Sequence, residues 1–355
     1  MYPSRGCPEV KMGGMITRSR VPLRISFGGG GTDVSPYCDE YGGAVMNATI
    51  DRYATVSLFP FDDKAIEIES IDYDTALKYD VDQFLAYDGH LDLIKGVVNY
   101  MRRSYGIGQG FRLRIHNDAP PGSGLGSSSA VCVALIGAFK HWLNLPLTPY
   151  EVAELAYRIE REELKIHGGK QDQYAAAFGG FNFIEFNGAN TIVNPLRLRG
   201  DVVYELHHRL ILAYVGGSHD SSRILSSQIK DMTSGRRETL ESLHEAKELA
   251  VAMKAALVTG NLDDFGLLLD RAWESKKRFT EGITNPRIDA LYERAKSAGA
   301  LGGKVSGAGG GGFMFFFAEA DKRYAVAEAL QEEGAQIANY SFTEIGLHTW
   351  GVRHP

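Results

Sequence analysis

Hydrophobic and polar residues alternate along several stretches of the chain, and this alternation predicts β-strands. In residues 16–27 the apolar side chains Val21, Leu23, Ile25 and Phe27 fall on one face, as the period of two in a half-buried strand requires. Further strands are predicted at residues 44–59, 65–71, 111–116, 181–186, 206–215, 313–317 and 337–347.

Apolar positions spaced three or four residues apart predict helices elsewhere. In residues 90–105, Ile94, Val97, Val98 and Met101 share one helical face. Other helices are predicted at residues 128–143, 150–167, 238–297 and around 325–330. Strands dominate first, mixed elements follow, and helices precede a final strand–helix–strand unit. This order predicts an α+β fold with two lobes around a cleft.

The composition is that of a globular protein. Of the 355 residues, 44% are hydrophobic and 23% charged, and the net charge of -6 disfavours nucleic acid or a membrane surface as partner. No apolar run has membrane-spanning length. Cys7, Cys38 and Cys132 lack metal-ligand spacing, so we expect reduced thiols in a cytoplasmic protein. Residues 1–14 differ from the rest and are expected to be a leader before a natural start at Met15.

Three glycine-rich segments carry the candidate chemistry, at residues 28–31, 120–130 and 302–312. The second joins the predicted strand 111–116 to the helix 128–143. A glycine loop that opens a helix directs backbone amides toward one point, where the helix dipole adds positive charge. The loop therefore predicts a phosphate site, and its serines can cap the helix or coordinate Mg²⁺.

The spacing of the glycines excludes two common phosphate loops. No segment reads Gly-x4-Gly-Lys-Ser/Thr, so a Walker A loop is absent from the sequence. The pattern Gly-x-Gly-x-x-Gly occurs at residues 307–312, but there it opens the predicted strand 313–317 instead of a helix. The loop at 120–130 is therefore a third kind of phosphate loop.

Two polar clusters each allow a functional and a structural interpretation. The glycines at 28–31 are either a flexible turn or a substrate loop, with Arg24 before it and Asp33 after it aimed into a cleft. His219 and Arg223 follow the predicted strand 206–215 and either reach an anionic substrate or lie in a solvated loop.

Two carboxylates near residue 170 likewise allow a functional and a structural interpretation. Asp172 precedes a run of alanines, where an aspartate ordinarily caps the helix that follows. Glu163 lies in a charged helix, where a carboxylate ordinarily belongs to a solvated face.

The three glycine-rich motifs together resemble those of the GHMP kinase family, which includes galactokinase, homoserine kinase and mevalonate kinase. Residues 120–130 (PPGSGLGSSSA) resemble the nucleotide loop, residues 21–33 the substrate motif, and residues 304–311 the glycine motif that packs beside the nucleotide loop. The resemblance implies a ribosomal-protein-S5-like N-terminal lobe at residues 15–200 and a ferredoxin-like C-terminal lobe at 201–355.

The resemblance also implies how ATP and Mg²⁺ are held. The residues expected to bind the nucleotide are those of the loop, namely Pro121, Gly122, Ser123, Gly124, Leu125, Gly126, Ser127, Ser128 and Ser129. Mg²⁺ is expected at Ser128 and Glu163, because Glu163 lies four residues before His167, as the metal ligand of mevalonate kinase does before its histidine.

The same resemblance assigns Asp172 as the catalytic base and Arg24 as the arginine beside the transferring group. An arginine there keeps the aspartate ionised and offsets charge on the phosphoryl oxygens. Lys170 is a further candidate. The expected substrate contacts are Arg24, Gly30, Gly31, Thr32, Asp33, Asp172 and Gly309, with His219 and Arg223 toward a phosphate on the acceptor.

Residues 22–33 are most similar to the branch of this family that phosphorylates D-glycero-D-manno-heptose 7-phosphate. This implies transfer from ATP to O1 of a sugar phosphate. Two alternatives stay open: an unphosphorylated acceptor such as L-fucose or galactose, and a non-catalytic sugar sensor. The sensor is disfavoured because Glu163, Asp172 and all three motifs are intact. A monomer or homodimer without nucleic-acid or membrane partners is expected.

Overall fold

Two β-sheets organise the protein in the computed structural model, which describes residues 15–120, 122–188, 190–217 and 221–353. Eight strands form the first sheet: β1 (Met15–Gly28), β2 (Gly43–Phe61), β3 (Ala65–Ser70), β4 (Thr75–Asp80), β5 (Gly110–Asn117), β6 (Phe181–Asn187), β7 (Asn190–Pro195) and β12 (His348–Arg353). Four strands form the second: β8 (Leu210–Gly216), β9 (Ala300–Val305), β10 (Gly312–Ala318) and β11 (Gln336–Ala338). Each sheet is the framework of one lobe.

The long strand β2 connects the two parts of the first sheet, whose main order is β12-β1-β2-β5-β3-β4. Residues Ala54–Phe61 of β2 pair with β5, whereas residues Gly43–Ala48 pair with β6, which then pairs with β7. The pairing of β3 with β5 is parallel, and the order of the second sheet is β11-β8-β10-β9. Because β2 has 19 residues, it is long enough to serve both neighbours.

The helices in chain order are α1 (Tyr37–Glu40), α2 (Asp92–Tyr105), α3 (Ser127–Trp142), α4 (Pro149–Arg158), α5 (Gln171–Phe178), α6 (Gly200–Arg209), α7 (Ser221–Thr233), α8 (Arg237–Thr259), α9 (Leu262–Lys277), α10 (Pro286–Ser297) and α11 (Arg323–Glu332). A π-helical turn (Ile159–Glu163) continues α4. Helix α3 is apolar on most of its surface because it packs on β1 and β2 and also contacts α2, α4 and α5. Thr148 caps α4 through a capping box with Glu151.

Aromatic side chains join the two lobes. Phe27 of β1 makes edge-to-face contacts with Phe265 of α9 and with Phe315 of β10, at centroid distances of 5.5 and 5.8 Å. All three rings are buried. Such pairs contribute about 0.5–1.5 kcal/mol each beyond the area they bury. Because Phe27 directly precedes the glycines at 28–31, these contacts fix the start of that loop.

Two of the predicted strands are wrong in extent. Residues 206–209 belong to α6, and β8 begins only at Leu210, because Val202 and Leu206 are buried one helical turn apart. Of the predicted strand 337–347, only residues 337–338 belong to a strand, since β11 ends at Ala338 and β12 begins at His348, just past the predicted range. The sequence pattern does not predict β4, β7 or α7, which are short or polar elements, whereas the helix expected at the alanine run after Asp172 is α5.

The end of the chain returns to the first sheet. Strand β12 pairs antiparallel with β1, with Arg353 opposite Met15 and His348 opposite Arg20. The predicted second domain, residues 201–355, is therefore not confined to the second sheet. Within the residues described, no helix has both the length and the apolar character needed to cross a bilayer.

Candidate active site

A cleft of about 350 Å³ lies between the two lobes, and all three glycine-rich motifs reach it. The first lobe contributes the loop before α3, the end of β1 and the turn before α5, whereas the second lobe contributes residues of α7, α9, β9 and the turn between β9 and β10. The motifs are far apart in sequence, so only the fold brings them together. A binding site between lobes, with polar groups on both walls, is the usual setting for a small-molecule reaction.

Left-handed backbone shapes the loop before α3. Gly122, Gly124 and Gly126 have φ values of 73°, 82° and 75°, which residues with a Cβ rarely adopt. Helix α3 begins at Ser127, and its N-cap Gly126 provides no side-chain hydrogen bond to the first turn. The amides of that turn therefore remain available to an anion in the cleft, as the sequence predicts for a phosphate site.

The glycine turn of the second lobe packs directly on this loop. A Cβ on Gly124 would overlap the carbonyl of Ser306, and one on Gly307 would lie 2.7 Å from the Cα of Gly124. The Phe313 amide donates to the Ser123 carbonyl at 2.9 Å. The glycines of both motifs are thus required for the contact between the two lobes at the cleft.

Arg24 and Asp172 form a bidentate ion pair in the cleft. The arginine Nε donates to Oδ1 at 2.7 Å, and Nη2 donates to Oδ2 at 2.8 Å. Arg24 is only 4% exposed, and its Nη1 also donates to the Gly124 carbonyl. Asp172 is the second residue of α5, whose N-cap is Lys170, so the helix-capping interpretation of Asp172 is wrong. The carboxylate of Asp172 instead lies beside the glycine loop before α3. A Cβ placed on Gly126 would be only 3.3 Å from the Asp172 Cγ.

Asp33 lies on the same wall and is buried. Its carboxylate accepts from the amides of Gly31 and Gln171, both at 3.0 Å, and from Gln171 Nε2 at 3.3 Å. Burial raises the pKa of this carboxyl above its usual range, and the nearby charge of Asp172 acts in the same direction. Asp33 lines the cleft together with Gly30 and Gly31, as predicted.

Two predicted substrate residues do not line the cleft. The Thr32 hydroxyl is fully buried and donates to the carbonyls of Gly29 and Ala44, so Thr32 holds the shape of the loop. Gly309 packs against Ile283, where an added Cβ would be 2.9 Å from the Ile283 Cα. Both assignments are therefore corrected from substrate contacts to structural positions.

The predicted metal ligand Glu163 is also wrong in position. Its carboxylate pairs with Arg103 of α2 at 2.6 Å and lies outside the cleft. The glutamate that lines the cleft in the described part of the chain is Glu160, which is 1% exposed and accepts from the Ser129 hydroxyl at 3.1 Å and from Gln173 Nε2. The wide π-helical turn at 159–163 separates the directions of the two glutamates, and sequence spacing alone could not show this.

Two lysines of the second lobe line the cleft, and the sequence pattern predicts a role for neither. Lys276 lies in the last turn of α9 and is 6% exposed, and Lys304 of β9 is 3% exposed. Burial, and then the charge of Arg24, lower the pKa of the Lys276 amine to about 8. Burial also lowers the pKa of Lys304 well below its usual range. Lys276 stands in a run of charged residues that is typical of a solvated helix end. Lys304 belongs to the glycine motif at 304–311, whose resemblance implies no role for the lysine itself.

The remaining predicted residues divide into three groups. Ser127, Ser128 and Ser129 line the cleft as expected. Arg223 of α7 is exposed and lies outside the cleft, while Leu225 and Gln228 of the same helix line it. The Lys170 amine donates to the Gly188 carbonyl at 3.2 Å and does not face the cleft. Pro121 and His219 lie outside the described residues.

A second cavity of about 390 Å³ adjoins the cleft at the nucleotide loop. Gly122, Ser127 and Ser128 line both cavities. The other walls are the turn after β3 and the start of α2, with Tyr73 and Leu91 among the lining residues. An elongated ligand can therefore lie across the loop with a different part in each cavity.

Comparison with known proteins identifies the family. The models for the GHMP kinase N-terminal and C-terminal domains match residues 92–180 and 252–336. A Campylobacter jejuni protein named D-glycero-alpha-D-manno-heptose 7-phosphate kinase is 42% identical over 337 residues, which cover 94% of this chain and 99% of that protein. The chain belongs to the GHMP kinase family. The predicted family and its two-lobed α+β fold are confirmed, and members of this family use ATP as phosphate donor.

Solved structures agree with this assignment. A D-glycero-D-manno-heptose 1-phosphate kinase from Bacteroides thetaiotaomicron is 38% identical and superposes with a TM-score of 0.81, covering 95% of this chain and 100% of that chain. Galactokinase from Lactococcus lactis, solved with galactose, superposes with a TM-score of 0.74 and covers 94% of this chain and 95% of its own. Because that galactokinase is only 23% identical, the likeness shows the fold alone.

Proposed function

We propose that this GHMP kinase transfers the γ-phosphate of ATP to O1 of D-glycero-D-manno-heptose 7-phosphate, giving the 1,7-bisphosphate. The observation that carries the proposal is the Arg24–Asp172 pair, which lies between the nucleotide loop and the buried carboxylate of Asp33. A phosphoryl donor on the loop and a hydroxyl acceptor at Asp33 would meet at this pair. The similarity to two heptose phosphate kinases supports the choice of acceptor.

Each side chain at the pair has a chemical role in the transfer. Asp172 accepts the proton of the attacking hydroxyl as the bond from that oxygen to phosphorus forms and the bond from phosphorus to the ADP oxygen breaks. Arg24 orients the Asp172 carboxylate through two hydrogen bonds before the transfer and offsets charge on the phosphoryl oxygens during it. Asp33 accepts hydrogen bonds from hydroxyls of the sugar. Because an anomeric hydroxyl is more acidic than an ordinary alcohol, modest assistance from a carboxylate suffices for transfer to O1.

The nucleotide is proposed to span both cavities. Its phosphates lie on the amides of the glycine loop, and its adenosine lies in the second cavity beside Tyr73 and Leu91. The wall residues Ser127 and Ser128 belong to both cavities, which supports a single ligand crossing the loop.

Glu160 and the loop serines fit a magnesium site. A carboxylate that is 1% exposed, with the Ser129 hydroxyl at 3.1 Å and Ser128 also in the cleft, is the oxygen donor set that Mg²⁺ prefers. The closest cationic group to Glu160 is the Arg161 guanidinium at 3.8 Å, so a dication beside the nucleotide phosphates would balance the buried charge. When bound, the ion neutralises charge on those phosphates.

The names of the two heptose-kinase relatives differ in the position of the acceptor's phosphate. Transfer to O1 of the 7-phosphate and transfer to O7 of the 1-phosphate yield the same bisphosphate. Identification of the product alone would not separate them. The test is therefore ADP release with each purified monophosphate, followed by ³¹P NMR of the product. Consumption of the 7-phosphate alone supports the proposal, and consumption of the 1-phosphate alone refutes it.

The same assay decides between the alternatives. Faster turnover with L-fucose or galactose than with either heptose phosphate would favour an unphosphorylated acceptor. Sugar binding without ADP release, whichever acceptor is supplied, would favour a sensor. The intact ion pair between Arg24 and Asp172 disfavours the sensor, because a binding protein has no need of a base beside the donor site.

A further inference from the structure

Lys276 is a buried cation whose amine has one hydrogen-bond acceptor among the residues that the structure describes. Its Nζ donates to the carbonyl of Gly307, and the side chain lines the cleft. Across the described part of the chain, no carboxylate lies within ion-pair distance of this amine. Its position in the last turn of α9 is favourable for a cation, but one carbonyl and a helix terminus offset only part of the cost of burial.

The groups that act on Lys276 are those of the transfer site. Arg24 repels its charge, whereas Asp33 and Asp172 attract it. Lys276 in turn repels Lys304, whose amine donates to the Phe27 carbonyl at 3.3 Å. Arg24 and Lys276 therefore approach Asp33 and Asp172 from opposite lobes, and Asp172 is already paired with Arg24. Glu160, the third carboxylate that lines the cleft, is held by Ser129 and Gln173. The Lys276 amine thus has no carboxylate partner of its own among the described residues, and an anionic ligand would supply one.

The acceptor of the Lys276 hydrogen bond places the amine at the donor end of the cleft. Gly307 stacks on Gly124 of the nucleotide loop, and the Ser306 hydroxyl donates to the Gly124 carbonyl at 2.9 Å. Arg24 donates to that same carbonyl. Lys276 and Arg24 thus approach one point of the loop from opposite lobes.

We propose that Lys276 is a catalytic residue, supplied by the second lobe, that binds the phosphoryl group as it passes from ATP to the acceptor. The inference rests on the proposed kinase function and adds a cation from outside the three glycine motifs. Arg24 holds the group from the first lobe and Lys276 from the second, so correct closure of the two lobes is coupled to charge neutralisation at phosphorus. A lysine that merely ties α9 to Gly307 would leave the chemistry unaffected.

The test compares Lys276→Met and Lys276→Arg with Lys277→Met. Lys277 is the neighbouring lysine, paired with Glu274 at 2.7 Å and partly exposed, so it controls for loss of charge at this helix end. We expect Lys276→Met to lower kcat by about 100-fold or more, the usual effect of removing one transition-state donor. The KM of the acceptor should change less than about threefold, Lys276→Arg should recover part of kcat, and Lys277→Met should match the wild type.

Two further measurements separate this role from a structural one and from a role toward the acceptor's own phosphate. Thermal unfolding of Lys276→Met should be no easier than that of the wild type, because a buried charge has been removed. Nucleotide binding is also measured without an acceptor, by titration with ADP and with ADP–beryllium fluoride. In Lys276→Met the affinity for ADP–beryllium fluoride should fall about tenfold, and the affinity for ADP alone should be retained. Unchanged kcat with unchanged fluoride-complex affinity overturns the proposal, as does a loss confined to the KM of a phosphorylated acceptor.

The wild type is assayed first, so that the two proposals fail separately. If it does not phosphorylate heptose 7-phosphate, the proposed acceptor is wrong. Lys276 is then tested with whichever sugar is phosphorylated and by the beryllium fluoride titration.

Discussion

Replacing Asp172 by asparagine tests the proposed mechanism most directly. The substitution keeps the shape of the side chain but removes its negative charge. In the native protein Arg24 donates from Nε at 2.7 Å and from Nη2 at 2.8 Å to the two carboxylate oxygens. An amide accepts only one of these bonds, and its NH₂ group faces a guanidinium N–H. The variant therefore loses both the base and the counter-charge of Arg24.

The structure sets different magnitudes for the two losses. Loss of a general base lowers kcat by about 10²–10⁴-fold. Removing one partner of a fully buried ion pair costs about 3–5 kcal/mol, and exposed pairs are worth about 0–1 kcal/mol. The side chains of Arg24 and Asp172 are 5% and 22% exposed, so the pair lies between these limits. We expect a stability loss of about 1–3 kcal/mol, which is less than the stability of a typical folded protein, about 5–15 kcal/mol, so the variant stays folded and its fall in kcat reports the chemistry.

Steady-state kinetics and thermal unfolding are measured on Asp172→Asn and on a matched control, Asp263→Asn. Asp263 pairs with the buried Arg209 at 2.6 Å but lies outside the cleft. The control should lose some stability and keep wild-type kcat. ATP affinity of Asp172→Asn should stay within about threefold of wild type, since the loop amides are unchanged. A turnover of Asp172→Asn within tenfold of wild type would refute the assignment of Asp172 as base.

Three other perturbations have defined outcomes. Gly124→Ala should lower both Tm and ATP affinity, because its Cβ would overlap a carbonyl of the second lobe at a left-handed φ, whereas Gly108→Ala, with open space around it, should be neutral. In Mg²⁺ titrations of activity, Glu160→Gln should raise the half-saturating Mg²⁺ concentration at least tenfold, and Glu163→Gln should leave it unchanged. Equal shifts in the two variants would contradict the assignment of Glu160 as the metal ligand. Because the Lys276 amine is charged only below its pKa of about 8, kcat/KM should fall as pH rises through that value. Lys276→Arg should abolish this fall in kcat/KM at high pH. A fall that persists unchanged in Lys276→Arg would show that another group causes it.

Much of the site could be predicted from the sequence because it consists of local backbone chemistry. A strand, a glycine loop and a helix in succession indicate a phosphate site wherever they occur, and the same local logic applies to the turn at 28–31 and the motif at 304–311. Arg24, Asp33 and the serines at 127–129 face the cleft because the motifs that contain them determine the backbone around them. Alternation and helical spacing likewise sufficed for most long strands and helices.

The tertiary structure decided which way each polar side chain points and which distant residues it pairs with. The pair of Arg24 with Asp172 spans 148 positions, and it brings together the arginine and the aspartate for which the family resemblance implied roles at the transferring group. A π-helical turn, visible only in three dimensions, turns Glu160 toward the cleft and Glu163 toward Arg103. Lys276 looks solvated in the sequence and is buried in the fold. Local propensity sets which elements form and which glycines are needed, but burial, pairing and charge balance arise from contacts between residues far apart in the chain, and these select which polar side chains carry the chemistry.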